Sequence, residues 1–264
     1  MTFGFCSFSS GSSGNCYLAK TERTAILIDG GIGAARILSG LDRTRTAHDD
    51  VKAILLTHEH SDHVCGVASA MNRLPGTKIC ANEDTFAQLR ANIPEERKIS
   101  FETGDGFRVG DIEIKTFALS HDAADPSGYS LRHEGKTIAV VTDTGVFTKE
   151  ILSETVDADI LVLEANHDEE MLRQGRYPPF LKQRIAGMYG HLSNAAAGKA
   201  ILEIMATERK ARCILLAHLS RDNNRPQLAE SAVANILAEM DYYSGRDLYL
   251  KALLRDRLSM LFEM

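Results

Sequence analysis

A short polar stretch carries the clearest chemical signal in this sequence. Residues 57–63 have the sequence THEHSDH, in which His58, His60, Asp62 and His63 form a His-x-His-x-Asp-His pattern. Such a run is poor material for a hydrophobic core. Imidazole and carboxylate groups are the ligands that zinc and other divalent transition metals take in proteins. The pattern therefore predicts a metal site.

Residues capable of chemistry also end six of the predicted strands. Each of these strands is short and apolar, and their last residues are Asp29, His58, His121, Asp143, Glu164 and His218. A single such residue is most often a turn former or a cap. Six of them, together with the histidine-rich run, are better explained by a shared site at one edge of an α/β sheet.

The spacing within residues 57–63 predicts two adjacent ions. Side chains two residues apart on an extended segment point the same way, so His58 and His60 can bind one ion. Asp62 and His63 begin the next predicted helix and point toward a second ion. A carboxylate has two oxygens to share, and Asp143 is the candidate bridge. The predicted first site is then His58, His60, His121 and Asp143, and the second is Asp62, His63, Asp143 and His218.

Two such ions define a reaction class. A pair of divalent cations about 3.5–4 Å apart lowers the pKa of a water between them and holds the group under attack. The resulting metal-bridging hydroxide is a nucleophile at neutral pH, so the sequence predicts a metal-dependent hydrolase. Zinc and manganese are the expected ions and iron is a further option, because His and Asp ligands accept all three.

The elements that position these side chains alternate along the chain. Strands are predicted at 24–29, 51–58, 77–82, 112–121, 129–135, 137–143, 159–165 and 213–218. Helices are predicted at 61–73, 83–92, 147–156, 193–208 and 226–243, with Ser193 as the N-cap of the fourth and Pro226 in the first turn of the fifth. This alternation indicates a layered α/β domain. The similar segments VKAILLTHEHSDH and ARCILLAHLSRDN fit a fold built from two similar halves.

Composition narrows the class of protein. The chain has 264 residues, 44% of them hydrophobic and 25% charged, with a net charge of −6. This is the composition of an ordinary globular protein, and the acidic balance argues against nonspecific coating of nucleic acid. Five cysteines, with no CxxC pair, predict reduced thiols. With no apolar run long enough to span a membrane and no leader-like start, the chain is expected to be cytoplasmic.

The ligand pattern resembles the metallo-β-lactamase fold. The run from His58 to His63 is followed in the expected order by His121, Asp143 and His218, and is preceded by Asp29. The resemblance covers essentially the whole chain and implies a single domain, residues 1–264, folded as a four-layer αββα sandwich. It also implies that Asp29 supports the metal site through hydrogen bonds without binding metal itself.

The bridging residue and two downstream residues indicate which branch of this fold family the chain resembles. Lactam-cleaving members usually have Cys at the bridging position, whereas phosphodiesterase and many thioester branches have Asp, as here with Asp143. Glu164 in DILVLEAN and His191 in GHLSNAAAGKA resemble the Glu–His pair of the tRNA-processing endonucleases. The resemblance implies that Asp62, Glu164 and His191 are catalytic, with His191 stabilising charge or protonating the leaving oxygen and Glu164 orienting it. The alternative for His191 is an ordinary hydrogen bond at a helix start.

Three further segments resemble a narrower subgroup. SFSSGSSGNCYL, EANHD and YPPFLKQRIAGMYGHLSN are similar to the compact WalJ/YycJ-type bacterial proteins, which are regarded as exonucleases that act from 5′ ends on double-stranded DNA. The chain lacks room for the inserted cap domain of the large RNA-processing members. It also lacks an evident tRNA-gripping arm. The resemblance therefore implies a DNA substrate rather than those RNAs.

A basic segment supports a phosphate-rich substrate. Residues 171–190 contain Arg173, Arg176, Lys182 and Arg184 and no acid, with Tyr177 and Phe180 between them. Such cations contact phosphates, and such aromatics stack on bases. The equally weighted alternative is a solvated surface with two aromatics packed inward. The loop SSGSSGN is either a donor set for a terminal phosphate or a simple hairpin turn.

Two other functions stay open at this level. A thioester or small cyclic phosphodiester hydrolase would use the same ions and differ in its pocket, which would be closed and narrow. A noncatalytic metal-binding partner module is a third possibility. The complete ligand set argues against that module, because degenerate relatives lose ligands. Oligomeric state is not predicted.

Overall fold

The computed structural model describes residues 2–208 and 210–264. In these residues the strands are β1 (Gly4–Ser9), β2 (Cys16–Lys20), β3 (Ala25–Ile28), β4 (Val51–Leu55), β5 (Lys78–Asn82), β6 (Lys98–Phe101), β7 (Gly106–Val109), β8 (Ile112–Ala118), β9 (Ser127–His133), β10 (Lys136–Val141), β11 (Ile160–Glu164), β12 (Arg212–Ala217), β13 (Leu248–Ala252) and β14 (Phe262–Glu263). The helices are α1 (Ala34–Arg43), α2 (Ser61–Val64), α3 (Val67–Arg73), α4 (Glu83–Gln88), α5 (Lys149–Thr155), α6 (Glu169–Gln174), α7 (Pro179–Ile185), α8 (Asn194–Thr207) and α9 (Pro226–Ala238).

The strands form two sheets of the same general design. The first has the order β14-β1-β2-β3-β4-β5-β6, and the second has the order β13-β12-β11-β10-β9-β8-β7. In each sheet an antiparallel part joins a parallel part, which is β3 to β6 in the first sheet and β10 to β13 in the second. This arrangement agrees with the two similar halves expected from the sequence.

Apolar side chains on alternate faces of the strands create the layers. Ile26 of the first sheet and Val162 of the second belong to one core between the sheets. Leu27 faces the other way, into a core shared with α1 and α3. Leu161 likewise faces a core shared with α8 and α9. Because these strands are buried on both faces they are apolar throughout, and the predicted αββα sandwich is confirmed.

All eight predicted strands are present, with ends shifted by a few residues. The predicted caps are also present. Ser193 Oγ accepts a hydrogen bond from the Ala196 N–H at 3.1 Å, and α9 starts at Pro226. Six strands were missed: β1, β2, β6, β7, β13 and β14. Helices α1, α6 and α7 were missed as well, because polar residues interrupt their short apolar runs.

Several predicted helices are wrong in extent. The helix at 61–73 is broken into α2 and α3, because the Gly66 N–H donates to Gly30 O at 2.8 Å and the chain must pass very close to Ile32. A Cβ on Gly66 would lie 1.8 Å from Ile32 O. The helix at 83–92 ends at Gln88, and the helix at 226–243 ends at Ala238. Within the described residues, no helix has both the length and the apolar character needed to cross a bilayer.

Candidate metal centre

The carboxyl ends of the parallel strands lie at one edge of the sandwich and carry the polar residues. Asp29 follows β3, and His58 lies three residues beyond β4. In the second sheet Asp143 lies two residues beyond β10, Glu164 ends β11 and His218 follows β12. These ends face one another across the two sheets, so side chains from distant parts of the sequence meet.

The first cluster contains His58, His60 and His121. Their ligand-type nitrogens all lie within 4.8 Å of one another. His60 Nδ1 lies 3.0 Å from His58 Nε2 and 3.3 Å from His121 Nε2. His58 and His60 point the same way because they lie two residues apart on an extended segment, as predicted.

The second cluster contains Asp62, His63 and His218. Asp62 Oδ2 lies 3.6 Å from His63 Nε2 and 3.5 Å from His218 Nε2. Asp143 is placed between the two clusters: its Oδ2 lies 3.2 Å from His63 Nε2 and its Oδ1 lies 3.8 Å from His121 Nε2. All seven residues predicted as metal ligands are therefore in one place.

Three residues of this edge have left-handed backbone conformations. The φ angles are 60° for Asp29, 62° for Asp143 and 53° for His218. Residues other than glycine adopt this region at a cost of about 1–3 kcal/mol, and such strain concentrates at functional sites. The conformation turns the side chain sharply out of the strand that precedes it.

Two buried atoms of the cluster lack hydrogen-bond partners among the described residues. They are Asp143 Oδ2 and His218 Nε2. Leaving buried polar groups unpaired is costly, so native proteins pair them with ligands, ions or water. Tetrahedral ligands at about 2.1 Å from a metal lie about 3.4 Å apart, which is close to the separations of 3.2–3.6 Å around these two atoms. The donor set therefore fits a bound metal ion.

Asp29 contacts a histidine of the second cluster and is fully buried. Its Oδ2 lies 2.7 Å from His63 Nδ1, and its Oδ1 accepts the Thr57 N–H at 2.9 Å. The Thr57 hydroxyl lies 3.0 Å from Asp29 Oδ2 and 2.9 Å from His58 Nδ1. The hydroxyl can thus donate to Asp29 and accept from His58. With both Nδ1 atoms engaged in this way, Nε2 of His58 and Nε2 of His63 are directed at the centre.

Backbone carbonyls and the N-terminal loop contribute further contacts. His121 Nδ1 donates to Gly190 O at 3.1 Å, which leaves its Nε2 facing the cluster. Asn15 Nδ2 lies 3.1 Å from His63 Nε2, and Ser10 Oγ accepts the His218 N–H at 2.9 Å. The loop SSGSSGN is thus part of the hairpin connection from β1 to β2, and its Ser10 and Asn15 contact the centre.

Sequence reasoning did not foresee the roles of Thr57, Ser10, Asn15 and Gly190. For Thr57 a signal existed, because it directly precedes His58 inside the histidine-rich run. The N-terminal loop was noticed only as a turn or a phosphate loop. No local pattern connects Gly190 to His121, since the two are brought together by the tertiary fold alone.

Glu164 joins His191 to His218. One oxygen, Oε1, lies 2.8 Å from the Nδ1 atoms of both histidines. The other oxygen, Oε2, accepts the N–H groups of Thr144 at 3.0 Å and Leu192 at 3.1 Å. Burial would raise the pKa of Glu164, but His191 and the hydrogen bonds lower it to about 2. Glu164 is therefore a fixed anion behind two imidazoles.

The buried acids give the centre a strong preference for positive charge. Burial alone would lower the pKa of His218, but the nearby carboxylates of Asp143, Asp62 and Glu164 raise it to about 10. The pKa of His63 is likewise raised well above its usual value, against the effect of burial, by Asp143, Asp29 and Asp62. The same acids would stabilise a bound cation.

The cations of the basic segment differ in whether an acid pairs with them. Arg173 pairs with Glu170 (Nε to Oε2, 2.8 Å) and Arg184 pairs with Asp122, so both charges are largely compensated. Among the residues that the structure describes, Lys182 Nζ donates to a carbonyl oxygen, that of Arg173, at 2.8 Å and pairs with no carboxylate. Arg176 is exposed. Of the two aromatics, Phe180 is exposed, and the Tyr177 hydroxyl donates to Asp222 Oδ2 at 2.8 Å.

Comparison with known proteins identifies the family. The family model described as "Beta-lactamase superfamily domain" matches residues 24–218, which include the centre from Asp29 to His218. The chain belongs to the beta-lactamase superfamily. The resemblance inferred from the metal-ligand pattern is thereby confirmed at the level of the family.

Relatives within the superfamily match almost the full chain. Exodeoxyribonuclease YycJ of Bacillus anthracis is 37% identical over 93% of this chain and 93% of its own length. Exodeoxyribonuclease WalJ of Streptococcus pneumoniae is 37% identical over 93% of this chain and 92% of its own. The similarity to the narrower WalJ/YycJ-type subgroup is thus also confirmed.

A solved structure shares the fold. The metallo-beta-lactamase fold protein YhfI from Bacillus subtilis matches with a TM-score of 0.72 at 14% identity, covering 100% of both chains. At this identity the likeness concerns the fold alone. Membership of the superfamily implies divalent metal ions, and the His/Asp cluster is where this chain offers ligands for them.

Proposed function

We propose that this protein is a metal-dependent phosphodiester hydrolase that degrades DNA as an exonuclease from 5′ ends. The observation that carries the proposal is the convergence of seven side chains on two adjoining positions, with Asp143 in contact distance of both. The names of the two exodeoxyribonuclease relatives support DNA as the substrate.

We assign the ligands as two sets that share Asp143. One set is His58, His60, His121 and Asp143, and the other is Asp62, His63, Asp143 and His218. Asp29 supports His63 without binding an ion. The expected metals are zinc or manganese, with iron as a further option. When bound, two such ions supply a nucleophilic water at neutral pH and stabilise charge on the attacked phosphate.

Asp62 has a second role beside that of ligand. Its side chain is 24% exposed, whereas those of Asp143 and His218 are almost fully buried. Its Oδ2 lies between His63 and His218 at 3.6 and 3.5 Å. It is therefore the carboxylate of the centre that entering water reaches, and it is placed to orient the attacking water.

His191 is the acid for the leaving group. Glu164 accepts from its Nδ1 and so fixes the imidazole plane, leaving Nε2 available to the substrate. The side chain is 15% exposed, so it is reachable from outside and still adjoins His218 and Asp143. A histidine held in this way donates a proton to the departing 3′ oxygen, and the adjacent anion stabilises the imidazolium form.

The surface near the centre fits a polyanion. Arg176 and Lys182 are the cations of the basic segment that pair with no carboxylate of residues 2–208 and 210–264, and they are proposed to contact DNA phosphates. Arg173 and Arg184 are proposed as weaker contributors because acids hold them. The protein is also proposed to be cytoplasmic, which its five free cysteines support.

A substrate panel tests the function. Protein reconstituted with zinc or manganese is given 5′-phosphorylated duplex DNA, single-stranded DNA, RNA, a cyclic phosphodiester and a thioester. Stepwise loss of nucleotides from the duplex, dependent on added metal, is expected. Asp143→Asn, whose amide tolerates the same backbone conformation, should lose more than about 100-fold of this activity, because both metal sets lose a ligand.

The panel also separates the alternatives. Rapid cleavage of the thioester or the cyclic ester, with DNA untouched, would replace the proposal by the small-substrate hydrolase. A metal-loaded protein that cleaves none of the panel would favour the noncatalytic metal-binding module. The exposed Asp49→Asn variant is the control, since Asp49 lies before the start of β4, whereas His58 lies beyond the end of that strand.

A further inference from the structure

A turn beside the centre presents two large apolar side chains to solvent. The Gly190 N–H donates to Gly187 O at 2.9 Å, which places Met188 and Tyr189 at the two corners of the turn. Their exposures are 67% and 64%. Turn corners usually carry Gly, Pro, Asn, Asp or Ser, and these two side chains gain little from burial. The fold alone does not account for them.

The turn is held tightly against the segment that carries His121. Ser120 Oγ donates to Met188 O at 2.8 Å, and the Asp122 N–H donates to Tyr189 O at 3.1 Å. His121 Nδ1 donates to the next carbonyl, that of Gly190, at 3.1 Å. Three successive carbonyls of the turn are thus fixed by three successive residues of the metal-binding loop.

A second segment of the centre, which follows Asp143, also packs against the turn. A Cβ on Gly145, two residues after Asp143, would lie 2.3 Å from Met188 O, so the two backbones touch. His191, the proposed acid, follows the turn directly. Tyr189 is therefore an exposed aromatic on a rigid support between a proposed ligand and the proposed acid.

The charge around the turn suits a nucleic acid. Residues 171–190 contain four cations and no acid, and within the described part of the chain no carboxylate pairs with Arg176 or Lys182. Lys182 lies on α7, which leads directly into the turn, so a strand bound at this cation has its bases within reach of the turn. Aromatic rings that are exposed beside cations are the usual platform for unpaired bases.

We propose that Tyr189, flanked by Met188, is the surface on which the base next to the scissile phosphate stacks. This inference rests on the proposed function and names a residue that positions its substrate. Every base has a π-face, so stacking on Tyr189 is tolerant of sequence and suits an exonuclease that must accept each nucleotide in turn. The rigid turn lowers the entropy that ordering the platform would cost.

The test compares Tyr189→Ala and Tyr189→Phe on two DNA substrates. One duplex is normal, and the other carries an abasic tetrahydrofuran residue at its 5′-terminal nucleotide. For the wild type, the abasic substrate should raise KM about tenfold or more, which is the loss of one base stack. Tyr189→Ala should raise KM on the normal duplex by a similar factor and show no further loss on the abasic one. Tyr189→Phe should behave as the wild type.

Controls and contrary outcomes keep this inference separate from the proposed function. Tyr243→Ala removes an exposed tyrosine beyond the far end of α9, a helix about 20 Å long, and should change nothing. Metal content and kcat should stay near wild type in the Tyr189 variants. Stacking is overturned if Tyr189→Ala leaves KM on the normal duplex unchanged, or if the wild type has the same KM on the normal and the abasic duplex. Neither result would contradict the proposed exonuclease activity. If the wild type cleaves no DNA, the proposed function fails. In that case fluorescence anisotropy still tests the inference, because equal DNA affinities of the wild type and Tyr189→Ala would overturn stacking.

Discussion

Asp29 Oδ2 lies 2.7 Å from His63 Nδ1, and both side chains are fully buried. The carboxylate accepts the Nδ1 proton of the imidazole, so Nε2 is the nitrogen directed toward Asp62 and Asp143. Without this contact His63 would be free to take the other tautomer. The pair therefore shows how Asp29 can control the orientation of His63, which we propose as a metal ligand.

Replacing Asp29 by Asn should weaken metal binding by about 10- to 100-fold. The amide keeps the size of the carboxylate and tolerates the left-handed backbone, but it lacks the charge that fixes the tautomer. Competition with a chromogenic chelator measures the change. Asp42→Asn is the control, because Asp42 pairs with His48 at 3.0 Å on the surface, away from the centre. Equal metal affinities for Asp29→Asn and the wild type would contradict this role.

Replacing His191 by Gln should lower kcat on DNA by about 10²- to 10⁴-fold while metal content is retained. Bis(p-nitrophenyl) phosphate should be affected much less, because nitrophenolate leaves without a proton. Glu164→Gln should reduce both activity and metal content, since Glu164 also contacts His218. His48→Gln is the control variant, because His48 is partly exposed and pairs with Asp42 at the surface. Equal losses on both substrates for His191→Gln would argue against an acid role.

Replacing Gly31 by Ala should abolish metal binding or destabilise the fold. A Cβ at this position would lie 1.7 Å from Asp62 O and 2.8 Å from His63 N, so the peptide between two ligands must move. Gly33→Ala provides the comparison, because no atom of the described residues, apart from its chain neighbours, lies within 4 Å of its added Cβ. Thermal unfolding and metal analysis measure both variants. A Gly31→Ala protein with normal metal content would show that Asp62 and His63 can shift freely.

Replacing Arg176 by Ala should weaken DNA binding more than replacing Arg173. Glu170 already pairs with Arg173, whereas Arg176 is exposed and belongs to the uncompensated part of the basic segment. Loss of one phosphate contact lowers the slope of log KM against the logarithm of the salt concentration by about one. Steady-state assays over a range of salt concentrations supply this slope. Identical slopes for the two variants would show that the pairing with Glu170 does not matter.

Replacing Asp159 by Asn should cost stability only above acidic pH. Burial would raise the pKa of Asp159, but the Thr137 N–H at 2.9 Å and the charges of Lys210 and Lys136 lower it. A lowered folded pKa contributes stability above the unfolded pKa of about 3.9, and this contribution is lost as pH falls through the folded value. A deficit of about 1–2 kcal/mol is expected at pH 7.

Urea unfolding at pH 7 and near pH 3, with wild type and variant compared under the same conditions, measures this effect. The exposed Asp49→Asn variant should match the wild type at both values. A deficit of Asp159→Asn that stays constant down to acidic pH would point to lost packing in place of lost charge.

The sequence by itself determined the strands of the interior and the chemistry of the centre. Strands such as β11 are apolar on both faces because helices cover one face and the second sheet covers the other. Burial on both faces leaves a local pattern that needs no knowledge of partners. The ligand residues were equally visible, since carboxylates and imidazoles at strand ends have few structural uses in such numbers.

Only the tertiary structure decided which contacts support the ligands and which charges stay free. Asn15 contacts His63, and Gly190 accepts a hydrogen bond from His121. Glu164 contacts both His191 and His218. The residues in each of these contacts are far apart in the sequence. The pairing of Arg184 with Asp122 depends in the same way on two loops that meet in space. The edge strand β14 was invisible for the same reason, because it pairs with β1 at the other end of the chain. Residue types determine what chemistry is available locally, whereas long-range packing determines which groups can reach one another.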